Sequence, residues 1–138
     1  MATTLAKVFV YGTLRRGFPL HYHLEQSAPR FLGKGTIQAR LYDLGEFPGA
    51  LLSGNSADTV NGELYELTCA EEELRALDEV EEYDPERPEQ SIFIRRTVEV
   101  QLEDGKRTEA WAYFLPGEPT RARPIPSGDY EEVRRSRN

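Results

Sequence analysis

Sulfur is scarce in this chain of 138 residues, which has one cysteine, Cys69, and one methionine. A single cysteine excludes an internal disulfide and points to a reducing, cytoplasmic compartment. Histidine is almost as rare. His21 and His23 form an H-x-H pair that could share one side of a strand and touch a metal. With no third histidine and Cys69 distant in sequence, both read as surface or loop residues, and no metal is expected. Long apolar runs are missing too, and none approaches the roughly 18 residues that span a bilayer. The N-terminal MATTLAKVFVYG is too short and weakly charged for a secretion signal, and its apolar part reads as a strand. There is no basic stripe. Lysine and arginine total 17 against 24 aspartates and glutamates, a net charge of −7, which argues against nucleic-acid binding as the main role.

What is present is enough apolar residue for one core, with 38% hydrophobic residues in a length that suits one domain. LAKVFVYGTL starts as a strand and stops at Gly12. RRGFPLHYHL carries Gly17 and Pro19 and reads as a loop, with a short helix expected to start near the proline. Residues 30–43 form a strand whose Gly33 and Gly35 predict bulges or sharp bends. TVNGELYELT alternates at Val60, Leu64 and Leu67, with Gly62 as a further bulge. Residues 92–102 and 107–115 flank Asp104–Gly105 and read as a hairpin. Mostly strands with one clear helix predicts an α+β fold, its sheet bent strongly toward a small barrel. The domain is placed at 1–130. The remaining residues, 131–138, end in RRSRN and read as a mobile tail.

The helix is TCAEEELRALDEVEE, residues 68–82, opened by Thr68 and Glu71 in a capping-box pattern and ended by two prolines in YDPERPEQ. At about 100° per residue, Ala70, Leu74, Leu77 and Val80 share one arc. Glu81 projects between Leu74 and Leu77, whereas Glu71, Glu72, Asp78, Glu79 and Glu82 point to the other side. A carboxylate on the buried side is costly unless it is used or paired. Desolvation, acidic neighbours and the helix C-terminus would each raise its pKa and poise it to carry protons near neutrality. The plainer alternative is a side chain that reaches past the helix end to water or pairs with an arginine.

Tyr11, Gly12, Thr13 and Leu14 form the second candidate site. A strand that runs into glycine and a turn exposes successive N–H groups, suited to a carboxylate or a developing oxyanion. A plain exit from strand to loop would look the same. Cys69 lies in the first helical turn, where the dipole could activate a thiol, but it reads better as a small buried residue. Trp111, Tyr113 and Phe114 are expected in core or cavity wall. Arg95 or Arg96 is expected to pair with the acidic helix.

Together, VFVYGTLRRG at 8–17, LYDLGEFPGA at 41–50, VNGELYEL at 60–67, LDEVEEY at 77–83, RRTVEV at 95–100, AWAYF at 110–114 and IPSGDY at 125–130 resemble the gamma-glutamylcyclotransferase-like family, which includes the AIG2-like and gamma-glutamylamine cyclotransferase proteins. The resemblance implies a small mixed barrel with flanking helices and a cofactor-free enzyme. It implies that Tyr11, Gly12, Thr13 and Leu14 hold the glutamyl head of a small-molecule γ-glutamyl substrate. The family's acid/base glutamate, in an L-D-x-x-E-G-Y-like pattern, falls on Glu81, the residue the helical wheel selects. The implied reaction releases 5-oxoproline from γ-glutamyl amines or peptides. A non-catalytic binding protein for a glutamyl-like or carboxylate metabolite is the alternative. Neither nucleic acid nor membrane is an expected partner, and the chain is expected as a monomer or weak homodimer. It departs from the family pattern at Leu20 (often Asn), Glu82 (Gly), Phe93 or Ile94 (Tyr) and Tyr130 (Trp), leaving the leaving amine open.

Overall fold

The computed structural model describes residues 5–12, 14–15, 21, 29–45, 47–55, 57–84, 86–87, 91–119 and 122–132. Its elements run β1 (Lys7–Val10), β2 (Arg30–Asp43), β3 (Pro48–Leu52), β4 (Thr59–Glu66), α1 (Ala70–Val80), β5 (Ile94–Leu102), β6 (Arg107–Phe114) and β7 (Arg123–Pro124). Strands β2, β4, β1, β6 and β5 pair in that order, and β2 also pairs with β5, which closes a five-stranded barrel. Strand β1 is parallel to β6 and the other neighbours are antiparallel, so the barrel is mixed, as the family resemblance implies. Strand β2 runs on past the barrel, where β3 and β7 add to it. Among the described residues no helix is long and apolar enough to cross a membrane.

Side chains alternate along a strand, and here both sides of several strands are covered. Phe9, Leu64, Ala110, Ala112 and Phe114 pack with Ile37, Val60 and Val100 in one cluster, the barrel interior. Their neighbours Val8, Val10, Tyr65 and Tyr113 pack with Leu74 and Leu77 of α1 in a second. The helix therefore roofs β4, β1 and β6. This explains why β1 reads as an almost continuous apolar run.

The glycines of β2 and β4 act differently. The register of β2 against β4 shifts between Phe31 and Gly33, the expected bulge. Gly62 shows no such shift, since Gly35 pairs with it in regular register. A side chain at Gly62 would run into the Val10 carbonyl and the Phe9 ring, so its role is close approach of chain to chain.

Helix α1 starts differently from the capping-box expectation. Its N-cap is Cys69, without a side-chain cap bond. Glu73 takes the part expected of Glu71, accepting hydrogen bonds from the Cys69 N–H at 3.1 Å and from Thr68 Oγ1 at 3.2 Å. Cys69 itself is exposed, not buried. Residues 130–132 make a helical turn where the tail was expected to begin, and 133–138 lie outside the described residues.

Candidate active site

Helix α1 ends in a complete Schellman motif, which fixes where Glu81 stands. The Glu81 N–H bonds the Leu77 carbonyl at 2.9 Å, Glu82 N–H bonds Glu79 at 3.2 Å, and Tyr83 N–H reaches back to Asp78 at 2.8 Å. Tyr83 then packs against both hydrophobic clusters, the apolar contact that accompanies this motif. Glu81 is half-buried at the helix end, and protein packed around its carboxyl group desolvates it. Desolvation, with the charge of Glu82 added, pushes that carboxyl from an ordinary 4.5 up to about 7.

Tyr11 lies within the field of Glu81. Burial first, and then the Glu81 charge, raises the Tyr11 phenol far above its ordinary value, against a smaller opposing effect of the Ala50 N–H. The hydroxyl donates to the Tyr113 carbonyl at 2.6 Å and accepts from the Ala50 N–H at 3.0 Å. Both bonds lock the ring at the end of β1, where the chain turns. The turn is closed by Arg15 N–H to the Gly12 carbonyl at 2.9 Å. A Cβ on Gly12 would sit 2.6 Å from Cγ of Pro48, so glycine lets this turn lie against β3. Leu14 is buried, and its carbonyl is 2.8 Å from His21 Nδ1. His21 is thus a buried residue that braces the turn, not the surface histidine expected. Thr13, Leu20 and His23 lie outside the described residues. Of the five residues singled out, Tyr11 and Glu81 are brought into electrostatic range, and Gly12 and Leu14 follow Tyr11 in the turn.

A second carboxylate on α1 was missed. Asp78, expected on the outer side, is 5% exposed. It accepts a hydrogen bond from the Tyr113 hydroxyl at 2.6 Å and a two-pronged one from Arg95, Nε at 2.8 Å and Nη2 at 3.2 Å. The Arg95 guanidinium stacks on Trp111, 4.5 Å from the ring centroid. The expected pairing of this arginine with the acidic helix is therefore present, one turn before Glu81. Burial, followed by the Asp78 hydrogen bond and charge, raises the Tyr113 phenol, to which Glu81 adds. Tyr113 joins the two halves of the site, its carbonyl to Tyr11 and its hydroxyl to the helix that carries Glu81. No sequence signal marks Asp78, because its partners Arg95 and Tyr113 are brought together across strands only in the folded sheet.

The turn is also tied to the closing segment. Arg15 Nη1 and Asp129 Oδ1 are 3.0 Å apart. Partial burial, the largest single effect, works against ionisation of Asp129, but the Arg15 hydrogen bond and charge, with hydrogen bonds from the Glu131 N–H and Asn61, together outweigh it and hold the carboxyl below its ordinary value. Next to it, Tyr130 is buried in the barrel cluster beside Tyr11. Among the described residues, no three His, Cys, Asp or Glu side chains are grouped to hold a metal ion.

The chain is similar to several known proteins. Residues 8–132 match the family model described as gamma-glutamyl cyclotransferase, AIG2-like. A protein of Methanocaldococcus jannaschii, provisionally named a gamma-glutamylcyclotransferase, is 31% identical over 128 residues, covering 92% of this chain and 97% of its own. The gamma-L-glutamyl-butirosin B gamma-glutamyl cyclotransferase of Niallia circulans is 36% identical over 111 residues, covering 79% of this chain and 66% of its own. The crystal structure of an AIG2-like protein of Mus musculus superposes with a TM-score of 0.65 at 30% identity, over 83% of this chain and 80% of that one.

Proposed function

Because the chain belongs to the gamma-glutamyl cyclotransferase, AIG2-like family of enzymes, we propose that it releases 5-oxoproline from L-γ-glutamyl amines or γ-glutamyl peptides, with Glu81 as general acid and base. The free α-amine of the γ-glutamyl group attacks its own γ-carbonyl. A C–N bond closes the five-membered lactam, and the original amide C–N bond breaks to free an amine or amino acid. An α-amine has a reference pKa of about 8 and is mostly protonated at neutral pH. Glu81, ionised, takes that proton and gives it to the departing nitrogen; it then takes the second proton that attack leaves on the ring nitrogen and passes it to the freed amine, which departs as an ammonium, so the carboxyl ends as it began. The nucleophile belongs to the substrate, so no covalent enzyme intermediate is required.

The turn after β1 does the rest. Backbone N–H groups around Gly12–Leu14, with Thr13 between them, hold the α-carboxylate or the developing oxyanion. Folding the glutamyl chain so that nitrogen meets carbonyl can supply several kcal/mol by orientation alone.

The observation that carries this reading is Glu81 itself, a carboxyl that burial pushes up to about 7 and whose charge reaches Tyr11 at the turn. A proton carrier at that value is matched to an amine at neutral pH. The test is to incubate the protein with a panel of γ-glutamyl amines and dipeptides and to assay 5-oxoproline. Turnover of at least one is expected. A thermal shift with no product from any of them would overturn the reading in favour of binding alone.

A further inference from the structure

Glu82 adopts φ +55°, the left-handed region, and is the one non-glycine residue with positive φ among the described residues. It occupies the position just past a Schellman-type helix end, where glycine is favoured because it carries no Cβ to clash. The hydrogen bonds on either side of it, Glu82 N–H to Glu79 and Tyr83 N–H to Asp78, hold it in this conformation. Nothing local offsets the strain, for the side chain is exposed and forms no hydrogen bond or ion pair among the described residues. Strain of this kind persists where the surroundings impose it and clusters at functional sites. What the side chain does bring is a negative charge one residue from Glu81.

We infer that Glu82 is a positioning residue that acts on Glu81 through its charge and moves the pH at which the enzyme works. The inference rests on Glu81 being the acid/base group. Glu82 is the charge that acts on Glu81, and the phenols of Tyr11 from β1 and Tyr113 from β6 lie within the field of Glu81; one turn earlier on the helix, Asp78 is paired with Arg95 from β5. Arg95 is committed to Asp78, and both phenols remain neutral at physiological pH. Glu82 is therefore the neighbouring charge with no bonded partner of its own, and the one that a substitution alters without breaking a contact.

The test is the pH profile of kcat/KM for 5-oxoproline release by Glu82→Gln, Glu82→Gly and Glu82→Lys beside the wild type and Glu81→Gln. Removing one exposed like charge is expected to move the acid limb down by roughly half a pH unit, and reversing it by roughly twice that. The displacement should shrink in about 0.5 M salt, because exposed charges are screened. A shift in Glu82→Gly without one in Glu82→Gln would assign the effect to the backbone and overturn the inference. An unmoved limb in all three, with Glu81→Gln inactive, would overturn it while leaving Glu81 as the base. Activity retained in Glu81→Gln would remove the base, and this inference with it.

Discussion

Glu81→Gln should make the protein more stable as the pH rises, a consequence that needs no substrate to measure. The Glu81 carboxyl titrates near 4.5 in an unfolded chain and at about 7 in the fold. Between those values the folded state binds the proton more tightly than the unfolded state. Stability from this group is therefore greatest below 4.5, falls as pH climbs, and levels off above 7. At 1.36 kcal/mol per unit, the full loss is about 3 kcal/mol. Glutamine keeps the shape and cannot ionise, so the variant should escape that loss. Urea unfolding of both proteins from about pH 4 to about pH 8 measures the difference directly. The gain of the variant should be small at the acid end and grow to about 3 kcal/mol at the alkaline end, roughly 1.5 M in urea midpoint for a slope of about 2 kcal/mol/M. A difference between the two proteins that does not change with pH would refute the argument, since it would mean that the carboxyl titrates alike in both states.

Other consequences follow from the same contacts. Glu82→Gly relieves a left-handed residue at the expense of a looser unfolded chain, and should gain about 0.5–1 kcal/mol, seen as a melting temperature higher by roughly 2–5 °C; Glu82→Gln should show no such gain. Tyr113→Phe takes one donor from a buried carboxylate and should lose about 1–3 kcal/mol in urea unfolding. Asp78→Ala leaves Arg95, whose side chain is 18% exposed, without its buried partner and should lose about 3–5 kcal/mol. Gly12→Ala must displace Pro48 and should raise KM more than it lowers kcat, measured by steady-state 5-oxoproline release.

Much of the fold can be read from periodicity. The hairpin around Asp104–Gly105, the bent β2 and helix α1 are all written in alternation, glycine placement and a 3.6-residue repeat. Barrel closure is less visible, because the β2–β5 pairing rests on only two positions, Gly35 with Leu102 and Thr36 with Gln101. Glu81 is legible because it interrupts an apolar arc. Asp78 is not, because a wheel judges a residue by its own helix, whereas Asp78 is buried by what Arg95 and Tyr113 bring from the sheet. The actual buried side is centred on Leu74, Leu77 and Asp78, with Ala70 and Val80 at its margins. The burial of His21 is hidden for a similar reason, since it bonds a backbone carbonyl, at Leu14, and carbonyls carry no sequence signal.

The most direct measurement is 5-oxoproline release by purified Glu81→Gln on whichever γ-glutamyl substrate the wild type turns over, with circular dichroism to show that both are folded. Loss of a general acid and base should lower the rate by roughly 10²–10⁴-fold while the folded signal is unchanged. Release at the wild-type rate from the folded variant would contradict the assignment of Glu81 as the group that moves the proton.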